Sequence, residues 1–71
     1  MTITKLDLDS WFRYHPPKGD QVERYQVIRD AAKEFAEVIL ANTPSSDEQR
    51  ASIYKLRQLV MLANSAIACN E

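Results

Sequence analysis

The residues best suited to chemistry lie together at positions 11–18, in the sequence Trp-Phe-Arg-Tyr-His-Pro-Pro-Lys. Aromatic rings and guanidinium planes stack on nucleobases, and cations close to the start of a helix suit phosphate groups. In an arbitrary small protein, Trp11 and Phe12 would more often only pack this segment onto the rest of the chain. The residue types are therefore suited to a nucleotide site, but they do not by themselves separate binding from packing.

Catalytic and metal chemistry have little support in the sequence. A serine or cysteine nucleophile needs an oriented base, and the single histidine, His15, directly precedes two prolines. One histidine and one cysteine, Cys69, cannot complete a tetrahedral zinc site, and a lone cysteine forms no intramolecular disulfide. We therefore predict a protein that is not an enzyme and that needs neither a metal nor a cofactor.

The charge balance and hydropathy limit the partners and the location. Nine basic and ten acidic residues give a formal net charge of −1, which provides no overall positive field for DNA. No apolar stretch approaches the ~18–20 residues that cross a bilayer, and the first residues lack the apolar core of a secretion signal. The single thiol suits a reducing compartment. We expect a cytosolic protein that binds neither DNA nor a membrane.

Two long helices are predicted to position the aromatic segment, the first over residues 20–42 and the second over residues 46–69. Apolar residues recur at spacings of three and four in both, which is the period of one helical face. These residues are Val22, Tyr25, Ile28, Ala32, Phe35 and Ile39 in the first helix, and Ile53, Leu56, Val60, Ala63 and Ile67 in the second. Because the connection is short, the helices should be antiparallel neighbours. The predicted fold is all-α, with residues 1–71 forming a single helical hairpin domain.

Capping residues support both helix starts. Asp20 is a candidate N-cap for the first helix, with Glu23 three residues on in a capping-box arrangement. Ser46 is the candidate N-cap of the second helix, with Gln49 at the third position.

Residues 1–18 form an N-terminal arm with two possible structures. The sequence Leu-Asp-Leu-Asp-Ser-Trp-Phe at positions 6–12 fits a short helix capped by Asp7 or Asp9, and it also fits an extended arm. The prolines that follow require an extended turn in either case.

The second helix carries more apolar residues than one partner helix can cover. Leu59, Met61, Leu62 and Ala66 lie outside its stripe. A chain of 71 residues also builds only a small core, which self-association can supplement. We therefore predict a compact homo-oligomer.

Two sequence elements are distinctive as a pair: Tyr-His-Pro at positions 14–16 and Met-Leu-Ala-Asn-Ser-Ala-Ile-Ala at positions 61–68. Further matching residues lie between them: Gln21, Arg24-Tyr25, Ile28-Arg29, Phe35-Ala36 and Pro44-Ser45. In this order the residues resemble the phage anti-CBASS family of cyclic-oligonucleotide sponges. That family shares its helical hairpin domain with one type of Thoeris anti-defence protein. The resemblance covers about residues 12–70.

The resemblance implies a function and a site. Members assemble as compact hexamers in the host bacterial cytoplasm, and they sequester cyclic dinucleotides such as cyclic GMP–AMP without cleaving them. Host CBASS signalling is thereby blocked. In the family, pockets shared by two protomers hold the ligand, with a tyrosine stacked on a base and a basic residue on the first long helix at a phosphate. By position these residues are Tyr14 and Arg29, and Phe12, His15 and Pro16 would line the same pocket.

The sequence departs from the family pattern near its end. The family commonly reads Ile-Ala-Arg-Asn, whereas this chain has Cys69 between Ala68 and Asn70. A thiol is a poor partner for phosphate, so a second pocket for cyclic trinucleotides that relies on the arginine is in doubt.

A different class of function competes with ligand sequestration. The protein would then be a structural or adaptor hairpin whose aromatic N-terminal arm docks onto a protein partner, in the manner of a helix that fills a groove.

Overall fold

The computed structural model describes residues 2–71, which form three helices and, within that range, no strand. The helices are α1 (Lys5–Trp11), α2 (Gln21–Asn42) and α3 (Asp47–Asn70). Helices α2 and α3 pack against each other, and the connection between them spans residues 43–46. The all-α class is confirmed.

The N-terminal arm contains a short helix, which decides between the two structures that the sequence left open. Its N-cap is Thr4, not Asp7 or Asp9 as expected. The Thr4 side chain accepts a hydrogen bond from the Asp7 backbone N–H at 3.3 Å, and the Thr4 backbone N–H donates to Asp7 Oδ2 at 2.8 Å. Asp7 is therefore the third helical residue of a capping box and not the cap, because the Thr4 hydroxyl three positions earlier is the acceptor.

The start of α2 differs from the predicted capping box. Asp20 is the N-cap, but its carboxylate makes no capping bond and accepts from Arg24 Nε at 3.1 Å instead. Its backbone angles, φ −90° and ψ 13°, also lie outside the extended region in which a side chain reaches the second or third amide. Gly19 precedes it at φ +58°, a left-handed conformation that glycine adopts without a steric penalty.

The start of α3 agrees with the sequence. The Ser46 hydroxyl accepts from the Gln49 backbone N–H at 3.1 Å, which confirms the predicted cap. The Gln49 side chain closes the turn by donating to the carbonyl and hydroxyl oxygens of Thr43. Thr43 in turn donates from its hydroxyl to the Ile39 carbonyl at 2.7 Å. The closed end of the hairpin is thus held by hydrogen bonds between near neighbours in the sequence.

The contact face between α2 and α3 follows the predicted stripes with two exceptions. All five stripe residues of α3 are half-buried, as are Tyr25, Ile28, Ala32 and Ile39 of α2. Val22 and Phe35 are exposed, contrary to the prediction. Ala36 takes the place assigned to Phe35, because at 3.6 residues per turn Phe35 lies about 60° to one side of Ala32. The phenyl ring therefore lies at the flank of the packed face.

A single chain has almost no interior. Within residues 2–71 no apolar side chain is buried, and Gln21, at 3% exposure, is the one buried residue. The Cα radius of gyration is 15.4 Å, compared with ~11 Å for a compact chain of this length. In the same part of the chain, none of the helices is both long and apolar enough to cross a membrane.

Candidate functional site

The arm folds back against the open end of the hairpin and encloses a cavity of about 220 Å³ there, which we call the arm cavity. Its lining comes from the segment after α1, the start of α2 and the end of α3: Arg13, Tyr14, His15, Pro16, Lys18, Gln21, Ala68 and Glu71. Three of the predicted site residues, Tyr14, His15 and Pro16, therefore share one cavity. Arg13 and Lys18 add two cations to its wall.

Hydrogen bonds between distant parts of the chain hold the arm in place. The Ser10 hydroxyl donates to the Cys69 carbonyl at 3.3 Å, across 59 positions of sequence. His15 Nε2 lies 2.6 Å from the Ser10 carbonyl oxygen. A carbonyl only accepts, so Nε2 carries the proton of this bond. The bond lies within the arm and holds His15 next to Ser10, the residue that bonds to the end of α3.

The aromatic rings of the arm are largely exposed. Tyr14 is 79% exposed although it lines the cavity, and Phe12, which does not line it, is 84% exposed. Phe12 is therefore not brought into the site within one chain. Both rings are free to stack on a ligand or to contact another chain.

Arg29 lies on the exposed face of α2, outside the arm cavity. It borders a groove of about 400 Å³ between α2 and α3, together with Lys33, Arg57 and Asn64. A smaller cavity of about 240 Å³ includes Arg29, Asn64 and Ala68, and Ala68 also lines the arm cavity. Neither Arg29 nor Lys33 forms an ion pair within residues 2–71. Their charges are consequently available to an anion.

Asn64 has an unsatisfied buried atom at this groove. Its Oδ1 is shielded from solvent and accepts no hydrogen bond in the part of the chain described. Asn64 lines both cavities that Arg29 borders. Leaving a buried acceptor without a donor is unfavourable in a folded protein.

A polar cluster at the open end was missed by sequence reasoning. The Glu71 carboxylate accepts hydrogen bonds from both terminal nitrogens of Arg24, at 2.8 Å for Nη1, and from Gln21 Nε2 at 3.2 Å. Chiefly because of the hydrogen bonds from Arg24 and Gln21, the pKa of Glu71 is below its ordinary value, and the same contact raises the pKa of Arg24. Arg24 and Glu71 are 47 positions apart, so no local pattern indicates the pair.

Metal ligands do not cluster in the part of the chain that the structure describes. Residues 2–71 contain no group of three or more histidine, cysteine, aspartate or glutamate side chains able to hold an ion.

The fold and the site together define a small helical hairpin module that presents an aromatic and cationic arm at its open end.

Comparison with known protein families identifies the family of this module. The model of the Acb2/Tad1 hairpin domain matches residues 4–68, nearly the whole chain. The chain belongs to this family, which confirms the resemblance to the anti-CBASS sponges and the Thoeris anti-defence proteins. The family is an anti-defence family and not a known enzyme family. No curated protein and no solved structure gave a match.

Proposed function

We propose that this protein sequesters cyclic dinucleotide second messengers without cleaving them, and that it thereby blocks host CBASS anti-phage signalling in the bacterial cytoplasm. Membership of the anti-defence hairpin family supports the general role. The observation that carries the choice of ligand is the arm cavity, where the exposed ring of Tyr14 lies beside the cations Arg13 and Lys18. Rings and cations in one place suit a ligand made of bases and phosphates.

Each site residue has a role that its surroundings support. Tyr14 stacks on a base, and His15 and Pro16 shape the cavity wall around it. Arg29 meets a phosphate, because it is exposed, forms no ion pair within residues 2–71 and has Lys33 beside it in the groove. Phe12 covers the ligand from the arm, where its ring is free.

The complete site requires two copies of the chain. The arm cavity, at about 220 Å³, is smaller than the ~300–1,000 Å³ of complete small-molecule sites. Tyr14 and Arg29 also lie on different cavities of one chain. A pocket shared by two protomers joins these parts and encloses a larger ligand.

Self-association has its own support in the uncovered apolar surface. Phe35 and Leu59 border a nearly apolar groove of about 430 Å³ on one flank of the hairpin. Leu62, on the same helix as Leu59, is 68% exposed. Exposed apolar surface of this kind marks interaction sites. We propose a homo-oligomer, and a hexamer in particular, as the resemblance implies.

Calorimetric titration of the purified protein with cyclic GMP–AMP tests the function. We expect binding, and we expect the ligand to be recovered intact by chromatography after the protein is denatured. Tyr14→Ala should weaken binding by ~1–3 kcal/mol, the contribution of one stacked base. Tyr14→Phe is the matched control, since it keeps the ring and should keep most of the affinity. Nucleotide fragments among the recovered products would exclude sequestration without cleavage.

A second candidate function is favoured by the exposure of Phe12 and of Trp11 on the arm. These rings would serve an adaptor hairpin that docks onto a protein partner. Thermal unfolding separates the two functions, because a ligand at 100 times its Kd adds ~2.7 kcal/mol to apparent stability. An unchanged unfolding curve with cyclic dinucleotide would favour the adaptor.

A further inference from the structure

The Glu71 carboxylate is held as a bound anion would be held. Arg24 donates to both of its oxygens through the two terminal guanidinium nitrogens, and Gln21 Nε2 donates to Oε1 at 3.2 Å. This fork-shaped arrangement is the geometry with which arginine binds carboxylates and phosphates alike.

The donors are oriented by contacts that do not involve Glu71. Gln21 is 3% exposed, and its Oε1 accepts from the Lys18 backbone N–H at 3.1 Å, which leaves Nε2 to face the anion. Arg24 is fixed by its Nε, which donates to Asp20 Oδ1 at 3.1 Å and leaves both terminal nitrogens for another acceptor. The site is thus built independently of the group that fills it.

Two of the three residues of this cluster line the arm cavity, and Arg24 lies beside them. Gln21 and Glu71 line this cavity together with Tyr14 and Lys18. The Glu71 carboxylate and the Tyr14 ring therefore line the same cavity. A nucleotide whose base stacks on Tyr14 would need hydrogen-bond donors for its phosphate in this cavity.

We propose that Gln21 and Arg24 form a phosphate subsite at the edge of the arm cavity, and that the Glu71 carboxylate is an internal competitor that fills it until a ligand phosphate takes its place. The phosphate accepts the same hydrogen bonds from Arg24 and Gln21 that the carboxylate gives up. The identity of the natural ligand rests on the proposed function, whereas the anion subsite does not.

The competition lowers the apparent affinity of the protein for phosphate ligands. When a binding site is free only part of the time, its apparent association constant equals the intrinsic constant multiplied by the fraction of time that the site is free. The Asp20 carboxylate, already bound to Arg24 Nε, also remains close to the incoming anion and moderates its attraction.

Two substitutions at position 71 test the competition in the full chain. Glu71→Gln removes the charge, and Glu71→Ala removes every acceptor. Both should strengthen binding of pyrophosphate and of cyclic GMP–AMP, by about three- to tenfold if the subsite is free for a third to a tenth of the time in the wild type. Glu48→Gln is the matched control, since Glu48 is exposed in the first turn of α3 and should leave both affinities unchanged.

Arg24→Gln tests the subsite itself. It should weaken pyrophosphate binding at least tenfold, and the further substitution Glu71→Ala should then restore nothing. Helical circular dichroism and the unfolding midpoint of each variant establish that the hairpin is intact before affinities are compared.

The outcomes separate this proposal from the proposed function. Cyclic GMP–AMP binding that is equal in wild type, Glu71→Gln and Glu71→Ala would overturn the subsite and leave sequestration standing. Pyrophosphate binding that is strengthened by Glu71→Ala and lost in Arg24→Gln, with no cyclic GMP–AMP binding by any variant, would support the subsite and overturn sequestration. Weaker binding of both probes by folded Glu71→Ala would overturn the competitor role.

Discussion

The two ends of the hairpin are fastened in different ways. At the closed end, Ser46, Gln49 and Thr43 bond to residues no more than six positions away. At the open end, Ser10 bonds to Cys69 and Arg24 bonds to Glu71, across 59 and 47 positions. The candidate site lies at the open end, where its shape depends on contacts between distant segments. Changes at the closed end should therefore alter stability alone, and changes at the open end should alter binding as well.

The largest effect is expected on the apolar flank, which belongs to neither end. Leu59→Glu should dissociate or unfold the protein, because Leu59 borders the apolar groove and an unpaired carboxylate buried in an interface costs several kcal/mol. Analytical ultracentrifugation at micromolar concentration measures the mass. Gln58→Glu, at an exposed position of the same helix, introduces the same charge as a control. A wild-type protein that sediments as a monomer would contradict the prediction of an oligomer.

The next effect is expected at the phosphate contact on α2. Arg29→Glu should weaken cyclic dinucleotide binding by more than the ~1–3 kcal/mol of Tyr14→Ala, since it places a carboxylate against phosphate. Calorimetry on the folded variant measures the loss. Lys55→Glu, which reverses a charge at an exposed position of α3 outside the described cavities, is the control. Equal affinity in Arg29→Glu and wild type would remove Arg29 from the site and leave the arm cavity as its centre.

At the closed end we expect a change in stability without a change in binding. Ser46→Ala removes the acceptor of the Gln49 N–H and should lower the free energy of unfolding by ~1 kcal/mol. Denaturant titration gives this value, and calorimetry should show an unchanged affinity for cyclic GMP–AMP. Altered affinity at equal helicity would show that the two ends are coupled.

The accuracy of the sequence predictions also differs between local features and features that depend on contacts between distant segments. The Ser46 cap and the α3 stripe were predicted correctly, because both depend on residues within one or two helical turns. The stripe of α2 was wrong at Val22 and at Phe35. At Phe35 the periodicity fits either this residue or its neighbour, and only packing against α3 selects Ala36. The Asp20 capping box was wrong because Arg24 binds the carboxylate.

The candidate site was predictable only in part. Tyr14, His15 and Pro16 share a cavity largely because they are adjacent in sequence. The Gln21, Arg24 and Glu71 cluster depends on how the end of α3 meets the start of α2. That distance is set by the fold and has no local signal. A buried glutamine at the first position of a helix was equally invisible in the composition.

A smaller effect on stability is expected when the pH is lowered, because Glu71 at the open end becomes protonated. The folded-state pKa of Glu71 is lower than its ordinary value of 4.5, so the contact stabilises the fold fully above that value. The stabilisation is lost as the pH falls through the lower, folded-state pKa. The Tm of Glu71→Gln should therefore lie below that of wild type at pH 7, and the difference should shrink as the pH falls below 4.5. A difference that persists undiminished at pH 2 would show that the charge of Glu71 is not its source.

The smallest effect is expected at Cys69, where the chain has a thiol instead of the family arginine. Cyclic trinucleotides carry three phosphates, and a thiol offers them only a weak hydrogen bond. Cys69 is half-buried, its Sγ lies 3.6 Å from Ser65 Oγ, and its carbonyl accepts from Ser10. We therefore expect cyclic trinucleotides to bind much more weakly than cyclic dinucleotides.

Cys69→Arg should strengthen trinucleotide binding by up to about fivefold, the effect of a partly exposed ion pair worth ~1 kcal/mol. Dinucleotide affinity should not change, because only the backbone carbonyl of Cys69 bonds to the arm and the substitution retains it. Cys69→Ser is the matched control, since it keeps the size of the side chain and adds no charge. Nanomolar binding of a cyclic trinucleotide by the wild type would show that other residues build that pocket. A lower Tm for Cys69→Arg than for Cys69→Ser, with no gain in affinity, would instead show that position 69 serves to pack the end of α3 against its neighbours.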